Sequence, residues 1–170
     1  MHLIHSYIVT YGAIALFVII YFESLGAPLP GESALIAGSI LALHGDLNLY
    51  HMLIAVFCGA VLGDSTGYLI GHFGGVKLIA RYGYLVRLTP ERLQEFENIF
   101  KKKGPYIVAT ARFVPILRQL NGIVAGSLKM PWPHFFIANA AGAAAWTLLW
   151  GAGPYFFSGF FHPIYEKMRE

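Results

Sequence analysis

The chain alternates between long apolar runs and short polar breaks, and the breaks predict where helices end. Residues 8–22 are almost wholly apolar, but as a helix they would reach only about 22 Å, less than the roughly 30 Å core of a bilayer. The Ala-Pro-Leu-Pro-Gly stretch at 27–31 then breaks any helix, because proline lacks a backbone donor and displaces the preceding residue from helical geometry. A second short run, 33–43, ends at residues 44–46.

Two short legs joined by a broken turn favour a re-entrant hairpin, which enters the membrane and returns on the same side. Pro28, Pro30 and Gly31 form its turn. Irregular backbone at membrane depth requires a cover of protein or a wet cavity. The alternative is an ordinary helix, loop and helix, with the proline-rich turn at the surface.

A longer apolar run at 51–73 has the length to cross a bilayer once. In and just beyond it, glycine recurs every four residues, at Gly59, Gly63, Gly67, Gly71 and Gly75. This spacing keeps all five on nearly one helical face and extends the small-xxx-small pattern of closely packed membrane helices. The Gly59–Gly75 face is therefore a candidate contact for a homo-oligomer. Asp64 lies beside that face, next to Gly63, and is either a hydrogen-bonded structural acid or a supporting functional residue.

Residues 77–103 change character. The Thr-Pro-Glu tripeptide at 89–91 is typical of a helix start, and the Gly-Pro pair at 104–105 predicts the end of that helix. Apolar and charged residues alternate at helical spacing over 89–103, which predicts an amphipathic connector on the membrane surface. The lysine triplet at 101–103 would face anionic headgroups. The alternative is a solvated connector helix.

A second apolar segment, 106–128, is broken by a proline, and Arg112 and Arg118 flank the break. Arginine keeps its charge in proteins, and each unpaired arginine at the bilayer centre costs roughly 2.5 to 3.5 kcal/mol on insertion scales. The chain must therefore supply partners, a wet cavity or an anionic ligand. Glu23 and Glu32, which flank the first broken turn, are the candidate partners.

The last long run, 134–155, again has the length of one span, and Pro154 predicts its end. Each half of the chain thus has a proline-broken segment (the second at Pro115), then Ala-Gly-Ser (37–39 and 125–127), then a span rich in small residues. If each broken segment is re-entrant and one span separates them, the two hairpins enter from opposite faces, as in inverted-repeat transporters.

Composition agrees with a membrane protein. Hydrophobic residues make up 56% of the chain and charged residues 12%, about half the charged fraction of a soluble domain. No Lys or Arg precedes Lys77, and seven lie between Lys77 and Lys103, which by the positive-inside rule places that segment in the cytoplasm. We therefore expect an all-α membrane protein, an inverted repeat of two opposed re-entrant hairpins plus transmembrane helices. It would form a single domain over 1–170 with a core at about 8–155, multi-pass in the cell (cytoplasmic or inner) membrane.

Several other classes find little support in the sequence. A nucleic-acid partner is not expected, because the basic segment is flanked by apolar runs of membrane length. The seven histidines show no metal-ligand spacing, and neither a nucleophile elbow nor a P-loop occurs, so we expect no enzyme, metal or cofactor. Cys58 is the only cysteine, which excludes an intramolecular disulfide. The N-terminus lacks the basic region and cleavage site of a signal peptide.

The four charges at the breaks suggest a mechanism. A guanidinium fork matches a phosphate, so Arg112 and Arg118 are expected to hold the anionic headgroup of a lipid. Without lipid they would pair with Glu23 and Glu32, and protonation of a carboxylate would release its arginine to the phosphate. Three alternatives remain: a purely structural ion-pair network, a proton- or cation-coupled transporter of small solutes, and a non-transport scaffold.

Three ordered motifs resemble the DedA family, whose eukaryotic relatives carry the same VTT (SNARE-associated) domain. They are Glu23 with Pro-Leu-Pro-Gly-Glu at 28–32, Gly-Asp-Ser-Thr-Gly-Tyr-Leu-Ile-Gly at 63–71, and Arg-Phe-Val-Pro-Ile-Leu-Arg at 112–118. The resemblance covers about residues 8–155. It implies opposed re-entrant hairpins and movement of lipids between leaflets, with undecaprenyl phosphate or phospholipids as cargo and dependence on the proton motive force.

The resemblance also implies roles for particular residues. The acidic pair of the family's first hairpin matches Glu23 and Glu32, and its paired arginines match Arg112 and Arg118. Family members usually continue into a further hydrophobic helix, which has no counterpart before Glu170.

Overall fold

The computed structural model describes residues 2–82 and 90–156, and over these ranges the chain is helical, without strands. Six α-helices follow one another: α1 His2–Leu25, α2 Gly31–Leu43, α3 Leu49–Tyr82, α4 Pro90–Ala111, α5 Pro115–Ser127 and α6 Trp132–Thr147. Helix α6 continues directly into a π-helical segment, Leu148–Ala152. The predicted all-α class is confirmed for this part of the chain.

Two of the helical stretches are long and apolar enough to cross a membrane, Leu49–Gly75 and Trp132–Phe156. They coincide with the two predicted spans. The predicted end at Pro154 is wrong, because the helical conformation continues to Phe156. The wider π-helical turn before Pro154 gives the proline ring room that a regular α-helix would deny it.

Both predicted helix breaks are present. Helix α1 ends at Leu25 and α2 begins at Gly31. Gly26 allows this break, because its φ of +118° suits glycine and few other residues. At the second break, Val114 is extended and Pro115 occupies the first turn of α5, where its missing N–H costs nothing.

The predicted end of α4 at Gly104-Pro105 is wrong, since that helix runs through Pro105 to Ala111. Proline clashes with the backbone N–H and the Cβ of the preceding residue, and Gly104 has no Cβ, which relieves part of that conflict. The amphipathic interpretation of this helix lies mostly outside the described side chains, which resume at residue 98; the lysine triplet at 101–103 is exposed.

The two halves of the described chain share one order of elements. In each, a long helix is followed by a break, a helix of 13 residues and then a helix able to span a membrane; the short helices are α2 and α5. This order agrees with the predicted repeat. Entry of the two hairpins from opposite membrane faces stays a prediction.

Helix α3 is the centre of the packing, with α1 and α5 against its glycine ladder. A Cβ on Gly59 would lie 2.7 Å from the carbonyl oxygen of Phe17 in α1, and one on Gly75 would lie 2.6 Å from the Cα of Ser127 in α5. Such separations are shorter than real Cβ contacts. The ladder therefore packs against other helices of the same chain. The Gly59–Gly75 face, which was predicted as a contact for a homo-oligomer, is occupied by α1 and α5.

This packing predicts that two glycines of the ladder differ in how well they tolerate substitution by alanine. A Cβ on Gly71 would collide with the carbonyl oxygen of Ile123, whereas one on Gly67 meets nothing closer than 3.5 Å. We expect Gly71→Ala to lower the free energy of unfolding by about 1–3 kcal/mol, the usual cost of overpacking. Gly67→Ala is the matched control, since both variants gain the same helix propensity. Thermal unfolding in detergent measures the difference, and equal melting temperatures would contradict the packing described.

Candidate functional site

Arg118 joins the two helix breaks. It lies in the first turns of α5, and its Nη2 donates to Oε1 of Glu23 at 2.7 Å, at the end of α1. Its Nη1 donates to Oε1 of Glu32 at 2.8 Å, in the first turn of α2. The two acids of the first broken turn thus bind one guanidinium from the second, and the predicted pairing of acids with an arginine is confirmed for Arg118.

The first broken turn holds Glu23 in place. The N–H of Gly31 donates to Glu23 Oε1 at 3.3 Å, so the carboxylate also lies at the positive N-terminus of α2. A Cβ at position 31 would collide with the other carboxylate oxygen. A side chain there would push on the carboxylate that binds Arg118, so the present position of Glu23 favours glycine.

Of the three charged side chains in this cluster, only Glu32 reaches the surface. The side chains of Arg118 and Glu23 are 3% and 4% exposed, whereas that of Glu32 is 32% exposed. The guanidinium carbon of Arg118 also lies 4.8 Å from the centre of the Trp146 ring, a cation–π distance. An anion approaching from outside would meet Glu32 first and the guanidinium behind it.

Arg112 belongs to a second, closed network. Its Nη2 donates to Oδ2 of Asp64 and, at 2.8 Å, to Oδ1 of Asn139. The side chains of Arg112 and Asp64 are 1% and 0% exposed. The prediction that Arg112 also pairs with Glu23 or Glu32 is therefore wrong. Arg112, at the end of α4, is bonded to α3 and α6, and only the later arginine, after the break, reaches the acids of the first broken turn.

Two asparagines of this region escaped the sequence analysis. Asn139 accepts from Arg112 and donates through Nδ2 to the carbonyl oxygen of Val61 at 3.4 Å. Asn121, in α5, donates to the carbonyl oxygen of Val108 at 3.1 Å and ties α5 to α4. These two residues could have been identified from the sequence as amide side chains inside apolar runs. Polar residues at membrane depth face the protein interior and have partners.

Both networks retain unused hydrogen-bonding atoms. Among the described side chains, the buried atoms without a partner include Nε and Nη1 of Arg112, Oδ1 of Asp64, Nε of Arg118 and Nε1 of Trp146. Buried polar groups are usually paired, so the four nitrogen atoms of this set can each donate to a further oxygen atom, whereas Oδ1 of Asp64 can accept. The two guanidinium groups face three carboxylates, Glu23, Glu32 and Asp64, which leaves one uncompensated negative charge if all are ionised.

No group of three or more His, Cys, Asp or Glu in the described ranges lies close enough to hold a metal ion. What the arrangement offers is a guanidinium fork in a mostly apolar surrounding, held by two carboxylates. Such a guanidinium can bind an oxyanion, and carboxylates beside it can exchange protons.

The described chain is helical, with two helices able to span a membrane and buried ion pairs near its helix breaks, and comparison with known proteins gives its family. Residues 29–154 match the VTT domain model. The chain belongs to the VTT-domain family, to which the DedA proteins belong.

Its relatives include an uncharacterized membrane protein of Synechocystis sp., 39% identical over 86% of this chain and 67% of that protein. Protein DedA of Escherichia coli is 35% identical over 76% of this chain and 59% of its own length. An alkaline phosphatase-like protein of Lactococcus lactis is 34% identical over 77% of this chain and 64% of its own. The match thus spans about three fifths to two thirds of these relatives. No solved structure matches the chain.

Proposed function

We propose that this protein moves an anionic lipid between the leaflets of the cell membrane, with undecaprenyl phosphate or a phospholipid as cargo. The observation that carries the proposal is the Arg118 fork, buried between two acids of which only Glu32 reaches the surface. A fork of this kind binds a phosphate through two parallel hydrogen bonds. The two broken turns would line the path of the headgroup, entering the membrane from opposite faces, while the acyl or prenyl chain stays in lipid.

Proton coupling follows from the charges around Arg118. The guanidinium is shared by Glu23 and Glu32, so a phosphate can take both of its hydrogen bonds only if a carboxylate yields. Protonation of Glu32 removes its charge and frees Nη1 for the ligand. Because the combined networks already carry an excess negative charge, a further anion is favoured only when a proton arrives with it.

Arg112 has a supporting role in this proposal. Asp64 already pairs with it in a site closed to the outside, so it holds the second break while Arg118 makes the headgroup contact. The proposal thus assigns the lipid contact to Arg118 alone, whereas the sequence led us to expect that both arginines contact the lipid.

The experiment is leaflet-to-leaflet movement of fluorescent undecaprenyl phosphate and phospholipid analogues in liposomes containing the purified protein, with and without a pH gradient. We expect movement that the gradient accelerates in the wild type. In Glu32→Gln, which mimics the protonated acid, we expect movement that no longer responds to the gradient. Gln at position 32 keeps the size of the side chain, so we expect the variant to fold.

The same vesicles separate the alternatives. Substrate-dependent current without lipid movement would indicate a small-solute transporter. Release of free phosphate would indicate hydrolysis, which the name of the Lactococcus lactis relative suggests for that protein. Neither lipid movement nor current, in protein shown to be folded, would leave the scaffold role and overturn the proposal.

A further inference from the structure

Trp146, beside the charged site, is a buried aromatic residue whose N–H group has no hydrogen-bond partner. Its side chain lies inside the core, with the whole residue 1% exposed, yet its indole Nε1 has no hydrogen-bond partner. A buried tryptophan N–H is ordinarily paired, because leaving the donor unsatisfied costs stability. The ring also lies beside the guanidinium of Arg118, at 4.8 Å from the guanidinium carbon to the ring centre.

Arg118 also has a buried hydrogen-bond donor without a partner. Its Nη1 and Nη2 are occupied by carboxylates, while its Nε is buried and unpaired. Two unused donors therefore belong to two side chains in direct contact. A tetrahedral phosphate has several oxygens that accept hydrogen bonds at about 2.9 Å, so one phosphate beside these two side chains would supply an acceptor for each donor.

We propose that Trp146 is a second headgroup-binding residue, whose indole N–H donates to the same phosphate group that Arg118 binds. The inference rests on the proposed function and adds to it a residue of α6 and a selectivity: the site takes a phosphate with several free oxygens. In the unloaded protein the ring covers the guanidinium and keeps water from it. On binding, the ring stays stacked and its N–H gains an acceptor.

The variant that tests this is Trp146→Phe, which keeps an aromatic ring over Arg118 and removes the donor together with one of the two indole rings; its thermal stability is measured alongside binding. Trp132→Phe is the matched control, because Trp132 is 40% exposed and packs among other aromatic rings. Binding of a short-chain phosphatidic acid in detergent is measured by calorimetry, with the corresponding diacylglycerol, which lacks the phosphate, as the negative ligand. We expect roughly tenfold weaker binding in Trp146→Phe, as for loss of one hydrogen bond to a charged group, and no change in Trp132→Phe.

A second readout reports contact at Trp146 itself. The chain has three tryptophans, so Trp132→Phe combined with Trp150→Phe leaves Trp146 as the only indole emitter. Its emission should change saturably with phosphatidic acid and stay constant with diacylglycerol. The role of Trp146 would be overturned if Trp146→Phe binds phosphatidic acid with wild-type affinity and if the emission of Trp146 does not change on addition of this lipid.

The two proposals fail differently. If the wild type moves phosphate lipid in vesicles and Trp146→Phe moves it equally fast, the role of Trp146 is overturned while the proposed function stands. If the wild type neither binds phosphatidic acid nor moves any lipid, both are overturned. Weakened binding in Trp146→Phe with intact thermal stability supports the inference.

Discussion

Asp64→Leu should largely prevent this protein from folding. Asp64 is the only carboxylate paired with Arg112 among the described residues, and both side chains are sealed from solvent. Removing one partner of a buried ion pair leaves the other charge uncompensated, at a cost of about 3–5 kcal/mol. Against a total stability of about 5–15 kcal/mol for an ordinary domain, that loss is large. The measurement is the monodisperse fraction and thermal midpoint of unfolding in detergent.

The double variant Asp64→Leu/Arg112→Met shows whether the loss comes from the orphaned charge. Replacing a buried ion pair by apolar residues of similar size is often neutral, so much of the stability should return. Recovery should stay incomplete, because Oδ1 of Asn139 loses its donor. Asp46→Ala, in the exposed turn after α2, is the control for loss of an acid. A stable Asp64→Leu single variant would contradict the structural role of this pair.

The double variant also separates the two arginines. In the proposed mechanism Arg112 supports the fold and Arg118 contacts the lipid. A folded Asp64→Leu/Arg112→Met protein should therefore keep much of its lipid movement. If it folds well but moves no lipid, Arg112 takes part in headgroup binding, as the sequence alone had led us to expect.

The helix breaks could be predicted from the sequence because proline and glycine act on their immediate neighbours. The Gly26–Pro30 break and the start of α5 at Pro115 follow from missing donors and from backbone angles that few residues adopt. The same local rule failed at Pro105 and Pro154, where α4 and α6 continue. At Pro105 the preceding glycine reduces the steric conflict, and at Pro154 the preceding π-helical turn does so. Whether proline ends a helix therefore depends on the residues that precede it.

The pairing of charges was only half predictable. The need for partners follows from the cost of a charge in an apolar surrounding, and it leads correctly to Arg118 with Glu23 and Glu32. Which acid each arginine meets depends on the direction that the end of α4 faces, which is a tertiary property. For the same reason the glycine ladder predicts close packing but does not say whether the partner is α1, α5 or a second copy.

The difference in access between the two networks is the strongest argument for where a ligand binds. The Arg112 site is enclosed by α3, α4 and α6 and holds its charges in balance with Asp64. The Arg118 site carries two acids for one guanidinium and reaches the surface through Glu32. An exchangeable partner belongs in the Arg118 site, since Glu32 lies partly at the surface and can move away without opening the core.

Removal of Arg118 should therefore abolish lipid movement. We expect Arg118→Ala vesicles to move fluorescent phosphate lipid no faster than protein-free vesicles, at least tenfold below the wild type, because the fork that replaces the water around the phosphate is gone. Lys129→Asn is the matched control: it removes an exposed cation just after α5, and asparagine tolerates the φ of +52° found there.

Arg118→Lys keeps this prediction testable if the alanine variant does not fold, because Arg118→Ala leaves Glu23 buried without a cation. Lysine retains the charge and can pair with one carboxylate, so the fold should survive. A single ammonium cannot give a phosphate two parallel hydrogen bonds while holding an acid, so lipid movement should still fall severalfold. The pH gradient should then have little effect, since release of one carboxylate no longer completes a binding fork. Wild-type rates in folded Arg118→Lys and Arg118→Ala proteins would show that the cluster only fixes the hairpins, and the transport site would have to lie elsewhere.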